Sequence, residues 1–475
     1  MAQQPPSDDD TARGAVWDRS RRLAAQNPKL TLEFLRRYER FIERLHEIDS
    51  AGPQGPIDLV RNAQRLIVRG RLQVLTEQED RVLPKLADAG WSVDDIERDE
   101  RIGVSLLRGT GLAAEPLYTL VRTLVADMPL GQAPLSIGFD DVTYEAIVFK
   151  PIKPQGASGE ADRTTYSSSR PTGTGRGAGV VIGVIDGGFE STGAPARTDG
   201  WFDNVTPPQG GAPKLNQADE STLDPGAGHG TFVTGIVASH APDATIRQYR
   251  ALDSWGLGGA WRLKDMILQA VDDGCQVINI SLGFEDPDLL GSPALSAVLH
   301  HIPNHVVVVA AAGNSGTTVP MLPAAHKMVI AVGGLEVDLD PVGWSNRGPW
   351  VDFSALAVPV LSTYVMDPTD PNGDPNPWAI WAGTSFAAPK VAGELAVLLG
   401  TGLTPVEAVD VLRTRAEGRL PNPDFGFLLA LPDQFPRTDP PVVDPPPGRV
   451  FRIPPVVELP DLTKLRLNPW IFRQR

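Results

Sequence analysis

Four residues carry groups suited to acyl transfer, and each sits in an unusual local setting. Asp186 follows the apolar run Val180–Ile185 in Val-Ile-Asp-Gly-Gly. His229 stands between glycines in Gly-His-Gly-Thr-Phe-Val-Thr-Gly, opening an apolar helical stretch. Asn314 lies in Ala-Ala-Ala-Gly-Asn-Ser-Gly, and Ser385 in Gly-Thr-Ser-Phe-Ala-Ala-Pro, ahead of small and apolar residues running to Gly400. Each alone has a plain structural explanation. An aspartate leaving a strand is often a turn residue, an asparagine beside glycine suits a left-handed turn, and a serine at a helix start commonly caps it. Most histidines are structural or surface groups, and His46, His240, His300, His301, His305 and His326 have no comparable setting. Together the four supply a carboxylate to orient an imidazole, an imidazole to take a proton and a hydroxyl to attack. The neutral amide can hold a developing oxyanion without competing for protons.

These groups need rigid elements to position them. Val180–Ile185, Thr245–Leu252, Gln276–Leu282, His305–Ala311 and Lys327–Val332 read as strands covered on both faces. Helical stretches lie near Thr231–Ser239, Trp261–Asp273 and Pro293–His301. This alternation predicts an α/β fold, a doubly wound and mainly parallel sheet with functional groups outside the carboxyl ends of its strands. Pro389 is expected in the first turn of the helix after Ser385, where a missing N–H costs little. Thr404-Pro405-Val406-Glu407 signals a capped helix reaching about Thr414.

The text before this domain differs. Residues 1–50 read as a disordered tail followed by an amphipathic helix, with Leu32, Leu35, Ile42 and Leu45 at helical spacing. Residues 51–150 read as a smaller α+β domain. Its expected elements are a strand Arg65–Leu75, a capping box Thr76–Glu79 opening a helix to about Ala89, and strands at Ser92–Glu97 and Gly103–Arg108. A helix Glu115–Ala126 and a strand Tyr144–Lys150 complete it. The order β-α-β-β-α-β is ferredoxin-like. Residues 151–178 have the composition of a flexible linker and form a candidate processing region. The domain from 179 to 431 precedes a proline-rich arm, 432–475, which reads as extended chain.

Composition narrows the partners. A net charge of −15 over 475 residues argues against nucleic acid as the main partner. The single Cys275 precludes an intrachain disulfide framework and reads as a small buried hydrophobe. The polar, acidic start has no signal-peptide pattern and no apolar run reaches transmembrane length, so a cytoplasmic location and no membrane association are expected.

The motifs around Asp186, His229, Asn314 and Ser385, in that order, resemble those of the subtilisin-type serine peptidases over about Gly179–Leu431. The resemblance implies Ser385 as nucleophile, His229 as general base and then acid, Asp186 as orienting carboxylate and Asn314 as oxyanion donor. It also implies that Ser281, Leu282 and Gly283 pair with an extended polypeptide substrate, with Ser254, Trp255 and Gly256 on the opposite edge. The pocket wall formed by Ser281–Gly283 with Ala311, Ala312 and Gly313 carries no charge, so a hydrophobic or small residue is expected before the cleaved bond. No cofactor is implied, and the short path from His240 to the next strand lacks the calcium-binding insertion of many secreted relatives. Residues 51–150 resemble the family's propeptide, which implies a self-processed precursor. The alternative is a retained regulatory module, with residues 1–150 or the proline-rich tail meeting a protein partner. An inactive scaffold is disfavoured, since every catalytic group is present.

Overall fold

The structure is a computed structural model describing residues 57–60, 63, 65–127, 133–144, 162–163, 169–188, 200–206, 226, 228–253, 256–365, 378–416 and 421–431. The expected helix near residues 30–45 and the proline-rich arm lie outside these.

The first described elements form an antiparallel sheet with two helices. β1 (Ile57–Val60) pairs with β2 (Arg65–Leu75), and a 3-10 turn at Thr76–Gln78 leads into α1 (Glu79–Asp88). Then come β3 (Ser92–Asp99), β4 (Val104–Thr110), α2 (Ala114–Ala126) and β5 (Ile137–Tyr144). The sheet runs β5-β2-β4-β3. Successive side chains point to opposite faces of a strand. Leu107 accordingly joins the domain's own core with Val82, Leu86, Leu117 and Val121, while Val104 and Leu106 pack on Trp261 and Ala294 of the following domain.

Two elements here differ from expectation. The strand closing the described part of this domain is Ile137–Tyr144, which the expected elements did not include, and of the expected Tyr144–Lys150 only Tyr144 lies among the described residues. Its sequence, Ile-Gly-Phe-Asp-Asp-Val-Thr-Tyr, reads as a turn because of Asp140 and Asp141, yet all eight residues are buried. The Thr76–Glu79 capping box does not form. Thr76 Oγ1 pairs with Ser105 Oγ at 2.9 Å, and Glu79 is drawn to Arg98 (2.6 Å) and Ser105 (2.5 Å). Tertiary partners outcompete the local cap.

Next along the chain are β6 (Asp162–Arg163), β7 (Val181–Asp186), β8 (Val205–Thr206), α3 (His229–His240), β9 (Thr245–Arg250), β10 (Leu257–Gly259) and α4 (Ala260–Asp272). They continue with β11 (Val277–Ile280), β12 (Phe284–Glu285), α5 (Pro293–His301), β13 (Val307–Ala311), β14 (Met321–Leu322), β15 (Ile330–Leu335) and β16 (Phe353–Leu356). The last are β17 (Val360–Thr363), β18 (Trp378–Trp381), α6 (Thr384–Gly400), α7 (Pro405–Arg415) and β19 (Phe427–Leu428). Among the described residues an eight-stranded sheet runs β19-β16-β15-β13-β11-β7-β9-β8, every pair parallel. One face packs α3 and α6, through residues such as Val233, Val237, Val391 and Leu395. The other packs α4 and α5, through Leu263, Ile267, Leu295 and Val298. Strand order reverses beside β7, which puts the carboxyl ends of β7, β11 and β13 around one crevice. The Thr404–Glu407 capping box forms as expected, with Pro405 opening α7. No helix among the described residues is long and apolar enough to cross a membrane.

The two sheets are joined by polar groups at helix starts. Asp140 of β5 accepts the Trp261 N–H at 2.8 Å in the first turn of α4, whose N-cap, Gly259, has no side chain to offer. Gln73 Oε1 accepts from Ser292 Oγ (2.8 Å) and the Ala294 N–H (3.1 Å) at the start of α5. Nearby, Arg65 is buried among Asp141 (2.5 and 2.9 Å), Asp286 (2.8 Å) and Asp288 (2.8 Å). Removing one partner from a buried ion cluster leaves uncompensated charge. Arg65→Ala is therefore expected to lower unfolding stability by about 3–5 kcal/mol in denaturant titration. Arg101→Ala, which breaks the exposed pair with Asp272, should cost about 1 kcal/mol or less.

Candidate active site

Asp186 is the last residue of β7 and is fully buried. Both its carboxylate oxygens meet His229 Nδ1, at 2.9 and 3.0 Å, and Oδ1 also accepts the Gly187 N–H at 2.7 Å. An ionised carboxylate accepts only, so Nδ1 carries the proton and Nε2 is the basic nitrogen. The glycines around His229 have steric causes. Gly228, the N-cap of α3, has φ +85°, and a Cβ there would strike the Tyr364 ring. A Cβ on Gly230 would collide with the Gly188 carbonyl and come within 3.1 Å of Asp186 Oδ1. The imidazole packs edge-on to Trp381 and tilted against Phe386, with centroids 5.7 and 5.4 Å away.

Ser385 is the second residue of α6, where a backbone N–H has no intrahelical acceptor. Its Oγ donates to the Ser281 carbonyl at 3.1 Å. Asn314 is set by Thr384: its Oδ1 accepts from Thr384 N (2.8 Å) and Oγ1 (2.9 Å), and Thr384 Oγ1 accepts the Gly313 N–H at 3.1 Å. A backbone donor must face oxygen, so the amide orientation is fixed and Nδ2 is the end available to an anion.

Pro389 lies beyond the first turn, contrary to expectation, because α6 begins at Thr384. Lacking an N–H, it leaves the Ser385 carbonyl, four residues back, without its helical donor. Ser281 Oγ fills that role at 2.9 Å and is itself fixed by Asn279 Nδ2 at 3.0 Å. The strand end at Ser281 and the helix start at Ser385 therefore hold each other in both directions.

Of the expected substrate-binding residues, Ser281, Leu282 and Gly283 follow β11, while Ala311, Ala312 and Gly313 end β13 and its exit; all six are buried. Gly256 precedes β10, and Ser254 and Trp255 lie outside the described residues. The groove between the two edges holds β5 from the smaller domain. Tyr144 N donates to the Gly283 carbonyl at 2.8 Å and its carbonyl accepts the Gly283 N–H at 3.2 Å, while Leu257–Gly259 pair antiparallel with Tyr144–Val142. Sequence reasoning missed Thr384, Phe386 and Trp381. Thr384 stands in the quoted Gly-Thr-Ser motif, but only its contact with Asn314 reveals a function beyond the turn.

A model of the Subtilase family matches residues 177–428. The chain belongs to that family. Thermitase from Thermoactinomyces vulgaris is 32% identical over 48% of this chain and 77% of its own length. Subtilisin DY from Bacillus licheniformis is 34% identical, over 47% and 78%. A thermophilic serine proteinase from Bacillus sp. (strain AK1) is 36% identical over 40% of this chain, which spans 47% of that relative. The crystal structure of fervidolysin from Fervidobacterium pennivorans covers 76% of this chain and 60% of its own, with TM-score 0.53 and 20% identity, which shows the shared fold. The chain is thus a serine-type endopeptidase by family, with the subtilisin-like α/β architecture.

The helices bearing His229 and Ser385 are also tied where the last residue of α3 meets the middle of α6. His240 Nδ1 meets Glu394 Oε1 at 3.2 Å, and Glu394 accepts from Arg176 (2.6 Å) and Arg415 (2.9 Å). Arg176 belongs to the stretch expected to be flexible linker. There Gly173, Thr174 and Gly175 all donate to Asp243, at 3.0, 2.8 and 2.6 Å, so this part is held against the subtilase domain. Burial works to raise the Glu394 pKa, but His240 and Arg176 outweigh it and hold it down at about 2. A depressed carboxylate stabilises the fold fully above its unfolded value and loses that contribution as pH falls toward the folded one. Glu394→Gln should thus cost about 3 kcal/mol at pH 7, with the difference shrinking from pH 4.5 down to 2 in pH-dependent thermal melts.

Proposed function

We propose that this chain cleaves polypeptides through an acyl-enzyme on Ser385, and that residues up to Tyr144 act as its own first inhibitor. The approach of both Asp186 oxygens to His229 Nδ1 carries the first part. In this reading Ser385 Oγ attacks the substrate carbonyl carbon as its proton passes to His229 Nε2. The tetrahedral oxyanion is held by Asn314 Nδ2 and the Ser385 N–H. His229 then gives the proton to the leaving amine, and a water molecule repeats the cycle to release the acyl group. Asp186 keeps the imidazole in the required tautomer and stabilises the imidazolium.

The exchange of hydrogen bonds between Tyr144 and Gly283 supports the second part, since it is how an extended peptide adds to a strand edge. A peptide continued in that antiparallel register would bring sequence position 146, an alanine, opposite Ser281, whose carbonyl is 3.1 Å from Ser385 Oγ. The Ala146–Ile147 bond, outside the described residues and just before the 151–178 stretch, is the one we assign to the first cut. A second reading, retention of the smaller domain as a regulatory module, draws on the caps that Asp140 and Gln73 supply to α4 and α5.

Wild-type protein should yield a fragment whose N-terminal sequence begins at Ile147, while Ser385→Ala remains full length; equal migration of the two would sink self-processing. Size-exclusion chromatography of the cut protein separates the two readings of the smaller domain, which co-elutes if retained. Asn314→Ala should lower kcat by about 10²–10³ with little change in KM, a magnitude known from the corresponding donor in subtilisin and not from this structure.

A further inference from the structure

We propose that Met321 closes the pocket receiving the side chain on the acyl side of the cleaved bond, restricting that position to small residues such as Gly, Ala and Ser. The inference rests on the peptidase reading above and narrows the hydrophobic-or-small expectation drawn from the pocket walls.

The two walls leave the sheet as neighbours. Ser281–Gly283 follow β11, Ala311–Gly313 close β13, and the strands themselves are paired in parallel. Met321 lies against both, with 2% of its surface exposed. A Cβ built on Gly313 would collide with Met321 Sδ and Asn346 Nδ2. One built on Gly283 would collide with the Leu322 carbonyl and stand 3.1 Å from Met321 Cε. The thioether therefore reaches from one wall to the other: its sulfur occupies the room beside Gly313, and its methyl lies next to the place where the Leu322 backbone meets Gly283.

The backbone around Met321 is fixed. β14 pairs antiparallel with β12, Glu285 opposite Met321. Asp286 N donates to the Pro320 carbonyl at 2.8 Å, and Ala325 N to the Met321 carbonyl at 2.8 Å. Only the side chain can yield. Methionine is flexible, but this one is buried, so admitting an aromatic or branched residue means displacing a buried thioether. A methyl or hydroxymethyl group needs no such displacement. Charged residues are disfavoured as well, since nothing on these walls offers a counter-charge.

The test reads cut positions by mass spectrometry after full-length protein, incubated until self-cleavage stops, is given a denatured protein substrate. Cuts after Gly, Ala and Ser are expected to exceed those after Leu, Phe and Tyr by at least about tenfold per available bond. Met321→Gly should raise the ratio of cutting after Leu and Phe to cutting after Ala by about tenfold or more; Met321→Ala should do the same in smaller measure. Wild-type cuts mainly after large apolar residues, or an unchanged pattern in variants that fold with the wild-type circular dichroism spectrum, would overturn the proposal. Absence of cutting together with no labelling of Ser385 by a fluorophosphonate would overturn the peptidase reading, and this inference with it.

Discussion

A carboxylate removed entirely from water and held against an imidazole is the constraint from which the rest of this site follows. Such a group costs several kcal/mol unless its oxygens are satisfied. Asp186 meets the cost with His229 Nδ1 and the Gly187 N–H. Bringing the imidazole that close forces the start of α3 against the end of β7, and only glycine fits at position 230. The same approach makes α3 buried along its whole length, because the helix must run under the sheet beside α6. Gly393 of α6 lies directly against His240, so the helices carrying His229 and Ser385 are in backbone-close contact. Distance between His229 and Ser385 is thus governed by helix packing and by the Glu394 clamp, and little by local flexibility.

Pro389 gives the second link. In an ordinary helix interior it would be a defect costing about 3 kcal/mol. Here the carbonyl it leaves without a donor belongs to Ser385, and Ser281 supplies the missing hydrogen bond from the strand that the resemblance assigns to substrate pairing. The Ser385 backbone and the strand end at Ser281 are fixed to one another by that exchange. A helix without proline at this position would satisfy its own carbonyl and leave Ser281 Oγ to seek another partner.

The candidate site was legible in the sequence because its residues announce themselves through neighbours that physics restricts. Gly-His-Gly is explained by the approach to Gly188 and Tyr364, and Gly-Thr-Ser by Thr384 orienting Asn314. The parallel sheet was legible from its continuous Val and Ile runs, with ends shifted by a few residues. What the sequence hid depends on partners far along the chain. β5 contains Asp140 and Asp141, which look like turn residues until Trp261 and Arg65 are seen to bind them. Thr76 and Glu79 match a capping box, yet Ser105 and Arg98 claim them. Met321 carries no local signal at all; its place against Gly283 and Gly313 depends on β12 and β14 pairing.

The contacts between the two sheets bear on why the smaller domain comes first in the chain. The start of α4 offers no side-chain cap of its own, and Asp140 supplies one from outside; Gln73 adds a second acceptor at α5. Both helices cover the sheet face opposite the catalytic helices, so their stability feeds into the core holding β11 and β13. The domain that caps them also lays β5 between Gly283 and Leu257–Gly259 in the same docking. The cluster at Arg65 crosses the same seam. Arg65 and Asp141 lie on β2 and β5 of the smaller domain, while Asp286 and Asp288 come from the subtilase domain. Burial pushes Asp141 up to about 7 although Arg65 pulls it down. One guanidinium thus serves carboxylates from both parts, so the seam that caps α4 and α5 also carries buried charge whose desolvation offsets part of what the caps contribute.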